Sequence, residues 1–299
     1  MILAAGLSPA WQQVLLVERL RPGDVNRAIE THWCASGKVL NVGLALHYLS
    51  GGVHDRTYLL STLGGQCYDL IEGELSSLGI WRRWIRTESP TRTCTTVLDL
   101  SGQYSATELV ENSGPMTARE LAEFEEEFIN AASHADAIVM TGSTSTNVPV
   151  DFFKRLSRRT TAPTVLDVRG AQLLAALESQ PFLVKPNREE LAQTLGRPIV
   201  SDDDLRSSIA ELQRRGAQWV VVSSGNEATW IGHAGSYYQQ TPVAVDVIVN
   251  PIGCGDCLAA GIGWALGNGA DVLEAVSVGT SLAAKNLGTL LPSRFQIPE

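Results

Sequence analysis

Residues 248–266 read IVNPIGCGDCLAAGIGWAL, and the four residues Gly253-Cys254-Gly255-Asp256 at their centre decide how the rest of the chain is read. A strand-like apolar run ends in Asn250-Pro251. Two glycines follow with one small residue between them, then a carboxylate, then an apolar run at helical spacing. Glycine lets a backbone turn sharply and approach a ligand closely. The helix that follows aims its first free N–H groups, and the positive end of its dipole, at that turn. An anion is the natural occupant. Asp256 beside such a hole is a poor phosphate ligand, because like charges repel. It is better placed to take a proton from a hydroxyl that attacks phosphorus, the arrangement of a phosphoryl-transfer site. Without any chemistry, the same residues are a glycine-rich strand-to-helix turn with a first-turn acid. The spacing is neither GxxxxGK[ST] nor GxGxxG.

The chain has 299 residues, 44% of them hydrophobic, and a formal net charge of −9. That length suffices for one large α/β domain with an insertion. The acidic balance argues against a nucleic-acid or membrane-surface partner, since both are polyanionic. No apolar run approaches the roughly 20 residues of a membrane span. The start, MILAAGLSPAW, lacks the basic residues of a signal peptide and reads as a first core strand, so a cytoplasmic location is expected. Cysteines at 34, 67, 94, 254 and 257 are odd in number and irregular in spacing, as free thiols in a reducing compartment are. Cys254-x-x-Cys257 has the spacing of a redox or zinc half-site, but no nearby Cys or His pair completes a zinc site. A thiolate at a helix start would be acidified and open to oxidation. The plainer reading is a small residue filling space.

Short β-branched runs at 137–140, 164–168, 182–184 and 219–223 alternate with amphipathic stretches at 150–158, 188–195 and 202–215. This is the pattern of a mostly parallel sheet covered by helices. Capping boxes are expected at Thr117-x-x-Glu120 and Asn187-x-x-Glu190. From Gly253 to Leu287 the chain reads as two helices divided by Gly267-Asn268-Gly269. Two segments, about 9–35 and 89–111, break the pattern. They read as extended chain with turn signals at Arg21-Pro22-Gly23-Asp24 and Ser101-Gly102-Gln103, the second inside a hairpin of 91–100 and 104–110. Four such strands form a small sheet beside the main domain.

Several polar residues sit where ligands gather. Lys38 and Asn41 lie where an extended segment meets a helix at 40–49. A lysine there opposes the helix dipole, which suggests an anion or hydroxyl partner. Arg92 lies mid-strand in the hairpin, and arginine forks onto phosphate oxygens. Ser143, after Gly142, ends a core strand, where open α/β sheets bind ligands.

The 250–256 turn resembles the signature of the PfkB carbohydrate kinases, the ribokinase-like superfamily: Asp or Asn, two residues, then Gly-Ala/Ser-Gly-Asp. Its Asn-Pro opening resembles the hexose-phosphate branch, which includes 1-phosphofructokinase, tagatose-6-phosphate kinase and the minor 6-phosphofructokinase. Further likenesses follow in family order: Leu7-Ser8-Pro9-Ala10, Gly23-Asp24-Val25-Asn26-Arg27, Ser36-Gly37-Lys38-Val39-Leu40-Asn41-Val42, Thr91-Arg92, Gly114-Pro115, Gly142-Ser143, Lys185-Pro186-Asn187-Arg188-Glu189-Glu190 and Ser223-Ser224-Gly225. They span nearly the whole chain.

The resemblance implies a single domain over 1–299, with a three-layer α/β/α core, a mostly parallel sheet and a small β-sheet lid over a sugar site. It implies ATP, with Mg²⁺ held without a direct protein ligand, and a phosphorylated ketohexose as acceptor. Asp256 would be the base, and the amides of Gly253, Cys254 and Gly255 the anion hole. Gly37, Lys38 and Asn41 would contact sugar. Arg92, with Ser143 and Arg27, would hold its phosphate. Asn187 and Glu190 would lie by the nucleotide phosphates and magnesium, with Ser223 and Gly225 on the nucleotide and Asn286 at the adenine. A homodimer through the lid is allowed.

The chain also departs from that pattern. Gln12 stands where the family has a sugar-binding Asp. Ser36 and Val39 replace two glycines and make the loop bulkier, and Ala228 replaces a later glycine. Two other readings stay open: a PfkB kinase of an unphosphorylated sugar or nucleoside, and a non-catalytic sugar or nucleotide sensor on the same scaffold.

Overall fold

Buried β-branched runs separated by amphipathic helices satisfy their backbones best as parallel strands with helices on both faces. The computed structural model, which describes residues 1–101 and 105–295, has that form. In chain order the elements are β1 (Ile2–Gly6), β2 (Ala10–Val17), β3 (Glu30–Ser36), α1 (Lys38–Leu49), β4 (Thr57–Leu63), α2 (Tyr68–Ser77), β5 (Arg82–Arg86), β6 (Arg92–Asp99), β7 (Ser105–Val110), α3 (Ala118–Ala132), β8 (Ala137–Thr141), α4 (Phe152–Ser157), β9 (Thr164–Asp167), α5 (Gly170–Ala176), β10 (Leu183–Val184), α6 (Arg188–Leu195), α7 (Asp202–Arg214), β11 (Trp219–Val222), β12 (Thr229–His233), β13 (Ser236–Gln240), α8 (Cys254–Gly267) and α9 (Val272–Leu287).

Nine strands form one sheet in the order β13-β12-β11-β10-β9-β8-β1-β4-β5. It is parallel from β5 to β11, and β12 and β13 extend it antiparallel. The two-residue period of a strand divides the core between its faces. Leu3 and Ala5 of β1 join Phe124, Phe128, Phe152 and Phe153 on one side. Ile2 and Ala4 join Leu40, Leu46, Ile262 and Val276 on the other. The result is an α/β/α sandwich. Among the described residues, no helix is long and apolar enough to cross a membrane.

The two interrupting segments form a second sheet in the order β3-β2-β6-β7. Each segment supplies an antiparallel pair, and β2 joins β6 in parallel because the two hairpins come from separate points in the chain. Gly102, Gln103 and Tyr104 of the expected turn lie outside the described residues. Both expected capping boxes are present, and Ser201 with Asp204 adds a third. Helix α1 starts at Lys38, two residues before the expected boundary.

Parallel strands all deliver their C-terminal ends to one edge of the sheet. There β8, β9 and β10 open into Gly142-Ser143, Asp167 and Lys185. Helices α8 and α9 back this edge and approach through glycine. A Cβ on Gly279 would stand 2.5 Å from the Leu258 carbonyl oxygen, and one on Gly261 would stand 2.5 Å from the Gly279 Cα. Gly279→Val is therefore expected to force the helices apart and cost about 1–3 kcal/mol of unfolding free energy. Urea denaturation reads this directly; an unchanged midpoint would mean the pair separates without cost.

Candidate active site

The turn that opens the site is held in shape by its neighbours. Gly253 caps α8 with φ +88, and a Cβ there would meet the Pro292 ring at 2.9 Å, so a side chain is excluded on both counts. Asn286, fully buried at the end of α9, donates to the Ile252 carbonyl at 2.8 Å and accepts from the Ser293 amide at 2.8 Å. Its amide is thus spent on clamping the turn, and its expected place in an adenine pocket is not what this burial gives. Asn250 Oδ1 accepts from the Ile252 amide at 3.0 Å, and its Nδ2 donates to Leu290 O.

Of the first amides, Cys254 N leans on Pro251 O at 3.4 Å, while those of Gly253, Gly255 and Asp256 donate to no carbonyl among the described residues. Of the expected hole over 253–255 the Cys254 amide is thus engaged, and the Asp256 amide stands free beside those of Gly253 and Gly255. Cys254 corrects a second expectation. Burial pushes its thiol up to about 11, against the lowering by the Asn286 hydrogen bond. Cys257 is raised as well by burial, and all five cysteines are free.

Asp256 lies one turn into the helix, 6% exposed, and its Oδ2 accepts from Asn41 Nδ2 at 2.7 Å. Burial pushes its carboxyl up to about 7, with Lys38 the strongest opposing influence and Asp167 a repulsive one. Asp167 is itself 1% exposed. Burial alone would raise its carboxyl, but Lys185 and Lys38 outweigh burial and hold it below the ordinary range. Lys185 Nζ lies 3.1 Å from Oδ1 and Lys38 Nζ lies 3.5 Å from Oδ2. Thr141 donates to Oδ2 at 2.9 Å. Oδ1 has no aligned hydrogen bond.

Lys38 also donates to Glu190 Oε1 at 3.0 Å. Desolvation pulls its ammonium down, but Asp167, Glu190 and Asp256 together carry it well above an ordinary lysine. The partners of Lys38 are therefore the protein's own carboxylates. The expected set missed Asp167, Lys185 and Thr141. A carboxylate ending the run Thr164-Val165-Leu166, and the lysine opening Lys185-Pro186-Asn187, were the available signals.

Asn187 and Glu190 do two jobs. Asn187 Oδ1 accepts from the Glu190 amide at 2.7 Å, and Glu190 Oε2 accepts from the Asn187 amide at 3.1 Å, closing the cap of α6. Glu190 Oε1 remains for Lys38. Asn187 also bridges Ser223, and these two residues with Gly225 line a depression of about 540 Å³. Ser224 Oγ and Arg188 Nε are buried without partners at the same depression. Among the described residues, no three His, Cys, Asp or Glu side chains converge as a metal cage. The local donors are carboxylate oxygens. Magnesium prefers oxygen and keeps several waters, so a water-mediated seat at Glu190 fits it.

On the four-stranded sheet, strand register puts Gln12 beside Cys34 and Cys94, with Arg92 two residues from Cys94 on the same face. Gln12 is 3% exposed and donates to Thr96 Oγ1 at 2.7 Å. Arg92 Nη1 donates to Glu111 O at 3.2 Å, and its Nε is buried without a partner among the described residues. A cleft lined by Thr87, Ser89, Thr91, Arg92 and Ser113 opens beside it. Ser143 Oγ donates to Ser8 Oγ at 3.3 Å, and Ser8 Oγ lies 2.6 Å from Ser113 Oγ. Arg27 stands apart on the exposed β2–β3 connection. Ser36 and Val39, flanking Gly37-Lys38, are 1% and 0% exposed, so their bulk faces inward and does not fill an open sugar face.

These features agree with the comparison to known sequences and structures. A model of the pfkB family of carbohydrate kinases matches residues 10–293, and the chain belongs to that family. It is a phosphotransferase acting on a sugar hydroxyl, and the family implies ATP as donor. Phosphofructokinase-2 from Escherichia coli, in complex with substrates and products, is similar at 23% identity and a TM-score of 0.85, covering 98% of this chain and 94% of that one. A "possible 1-phosphofructokinase" from Thermotoga maritima is similar at 21% and 0.85, covering 97% and 93%. Ribokinase from the same organism is similar at 20% and 0.75, covering 98% and 94%. At these identities the likeness establishes the ribokinase-like fold.

The raised carboxyl of Asp256 carries a sign that stability can read. Unfolded, it titrates near 3.8; folded, near about 7. The folded state therefore holds the proton more tightly, and stability falls as pH rises between those values. Asp256→Asn escapes this loss. Its Tm advantage over wild type is expected to be larger at about pH 8 than at about pH 5. Calorimetry giving equal differences at both would show that the carboxyl titrates normally.

Proposed function

We propose that this chain transfers the γ-phosphoryl group of ATP to a hydroxyl of a phosphorylated ketohexose of the fructose or tagatose phosphate kind. The observation that carries the chemistry is Asp256, buried beside free amides at the start of α8 and tuned to about 7 by burial against Lys38. A general base works best with a pKa near the operating pH. One Asp256 oxygen takes the proton of the sugar hydroxyl. The hydroxyl oxygen bonds to the γ-phosphorus, and the bond from that phosphorus to the β–γ bridging oxygen breaks, its electron pair leaving with ADP. The amides of Gly253, Gly255 and Asp256, with the ammonium groups of Lys38 and Lys185, balance the developing charge. Glu190 and Asn187 would hold a magnesium ion through water, and that ion would supply charge neutralisation on the nucleotide phosphates.

Arg92 supports a phosphorylated acceptor. Its Nε is buried without a partner, and hydroxyls line the cleft beside it. A guanidinium among hydroxyls is phosphate chemistry. An unphosphorylated sugar or nucleoside stays open as acceptor, because Gln12, buried and bonded to Thr96, offers no carboxylate to sugar hydroxyls.

We read the four-stranded sheet as a lid that closes over the sugar and excludes water. The chain then works as one kinase unit, with segments 9–35 and 89–111 as its cover. Trp33, Leu109 and Val110 are exposed on that sheet, apolar surface that a second copy could cover. Five free thiols fit the reducing cytoplasm.

A turnover assay with MgATP across ketohexose 1- and 6-phosphates and free sugars tests the acceptor. Arg92→Ala should raise KM for the phosphorylated acceptor about tenfold or more, from the loss of a hydrogen bond to a charged group, with little change for ATP. Equal effects on both substrates, or a preference of wild type for free sugar, would overturn the phosphate assignment.

A further inference from the structure

Ser36 closes β3 at the root of the lid, one residue before the Gly37 turn, and is 1% exposed. Its Oγ donates to Asn41 Oδ1 at 3.1 Å. Asn41, on the first turn of α1 and 2% exposed, donates through Nδ2 to Asp256 Oδ2 at 2.7 Å. Three elements thus meet in one buried chain of hydrogen bonds, β3 to α1 to α8.

We propose that Ser36 is a positioning residue for phosphoryl transfer, fixing the Asn41 amide so that its N–H, and not its carbonyl, faces the Asp256 carboxylate. An ionised carboxylate only accepts hydrogen bonds. Asn41 must therefore present Nδ2 to it, and Oδ1 is left to face Ser36. A hydroxyl there donates and completes the arrangement. Without it Oδ1 loses its partner, and the amide is free to turn over and set its carbonyl against Asp256. That contact is repulsive unless Asp256 holds a proton, and a protonated Asp256 is no base. Ser36 therefore selects the amide orientation that keeps the base ready. The glycine that the resembling loops carry at this position has no side chain to do so. The Ser36 departure then reads as part of the catalytic apparatus, acting through Asn41, and not as bulk in the sugar loop.

This inference rests on Asp256 being the base, and the test separates the two. Turnover of Asp256→Asn is measured first; activity within a few-fold of wild type would remove the base reading itself. With that variant inactive, Ser36→Ala should lower kcat about three- to tenfold, the worth of one net hydrogen bond, with KM for ATP unchanged.

A second readout does not depend on turnover. The Asp256 carboxyl, followed by NMR of ¹³C-labelled aspartate and assigned by its absence in Asp256→Asn, should titrate roughly half a unit to one unit higher in Ser36→Ala. In an Asn41→Ala background, Ser36→Ala should add nothing to either effect. Should Ser36→Ala fail to fold, Ser36→Cys keeps the volume with a weaker donor and should show the same shifts in smaller measure. Wild-type kcat and an unmoved titration, or an effect undiminished when Asn41 is alanine, would overturn the proposal.

Discussion

Asp167 is a carboxylate almost sealed from water, and the site is arranged around keeping it charged. Burying an ion is costly unless opposite charge and hydrogen bonds surround it. Lys185 just after β10, Lys38 from α1 and Thr141 from β8 supply that surrounding. Only the C-terminal edge of a parallel sheet brings such groups together, because neighbouring strands end side by side there. Lys38 then reaches Glu190, which caps α6, so the same lysine ties the start of α6 to this cluster. Asp256 joins this cluster as a third carboxylate against two ammonium groups. It is the one raised towards neutrality, since burial and Asp167 together outweigh Lys38, Asn41 and Lys185.

The four-stranded sheet is fastened to the core at the end of β3 by similar means. Ala35, on β3 beside Ser36, donates its amide to Glu74 Oε2 at 2.6 Å, and its carbonyl accepts from Arg294 Nη2 at 2.8 Å. Glu74 and Arg294 are themselves an ion pair. Helix α2 and the segment after α9 thus satisfy backbone groups on β3 that no neighbouring strand takes. The root of the lid is held there, while the far connection carrying Arg27 stays in solvent. Arg92 stands level with Ser36 across Ala10, at this same held end of the sheet.

Much of this was legible because it is local. The glycine–small–glycine–aspartate turn, the capping boxes at 117 and 187, and the strand and helix runs from 137 to 215 are written in neighbouring residues. Parallel pairing of β2 with β6 was not, because it joins residues some 80 positions apart and leaves no periodicity of its own. The β12–β13 hairpin went unread for a different reason. Its turn is Ala234-Gly235, with φ +48 and +80, where Asn-Gly or Asp-Gly would have announced it. Asp167 and Lys185 carried no local mark beyond ending a strand, and only the fold shows that they face Lys38. Cys254 reads as a small buried filler, and its thiol is raised by a burial that its neighbours in sequence do not announce. The bulk expected in the sugar loop failed because the direction of the Ser36 and Val39 side chains depends on tertiary packing.

If Asp256 is the base, its proton affinity is set by burial against Lys38. The pH dependence of kcat/KM reports the ionisation of the free enzyme's base. In wild type the acid limb should fall near about 7, and in Lys38→Met it should move to higher pH, because Lys38 is the strongest influence holding the carboxyl down. An acid limb near the ordinary 3.8 in wild type, or one that stays in place when Lys38 is removed, would contradict the account.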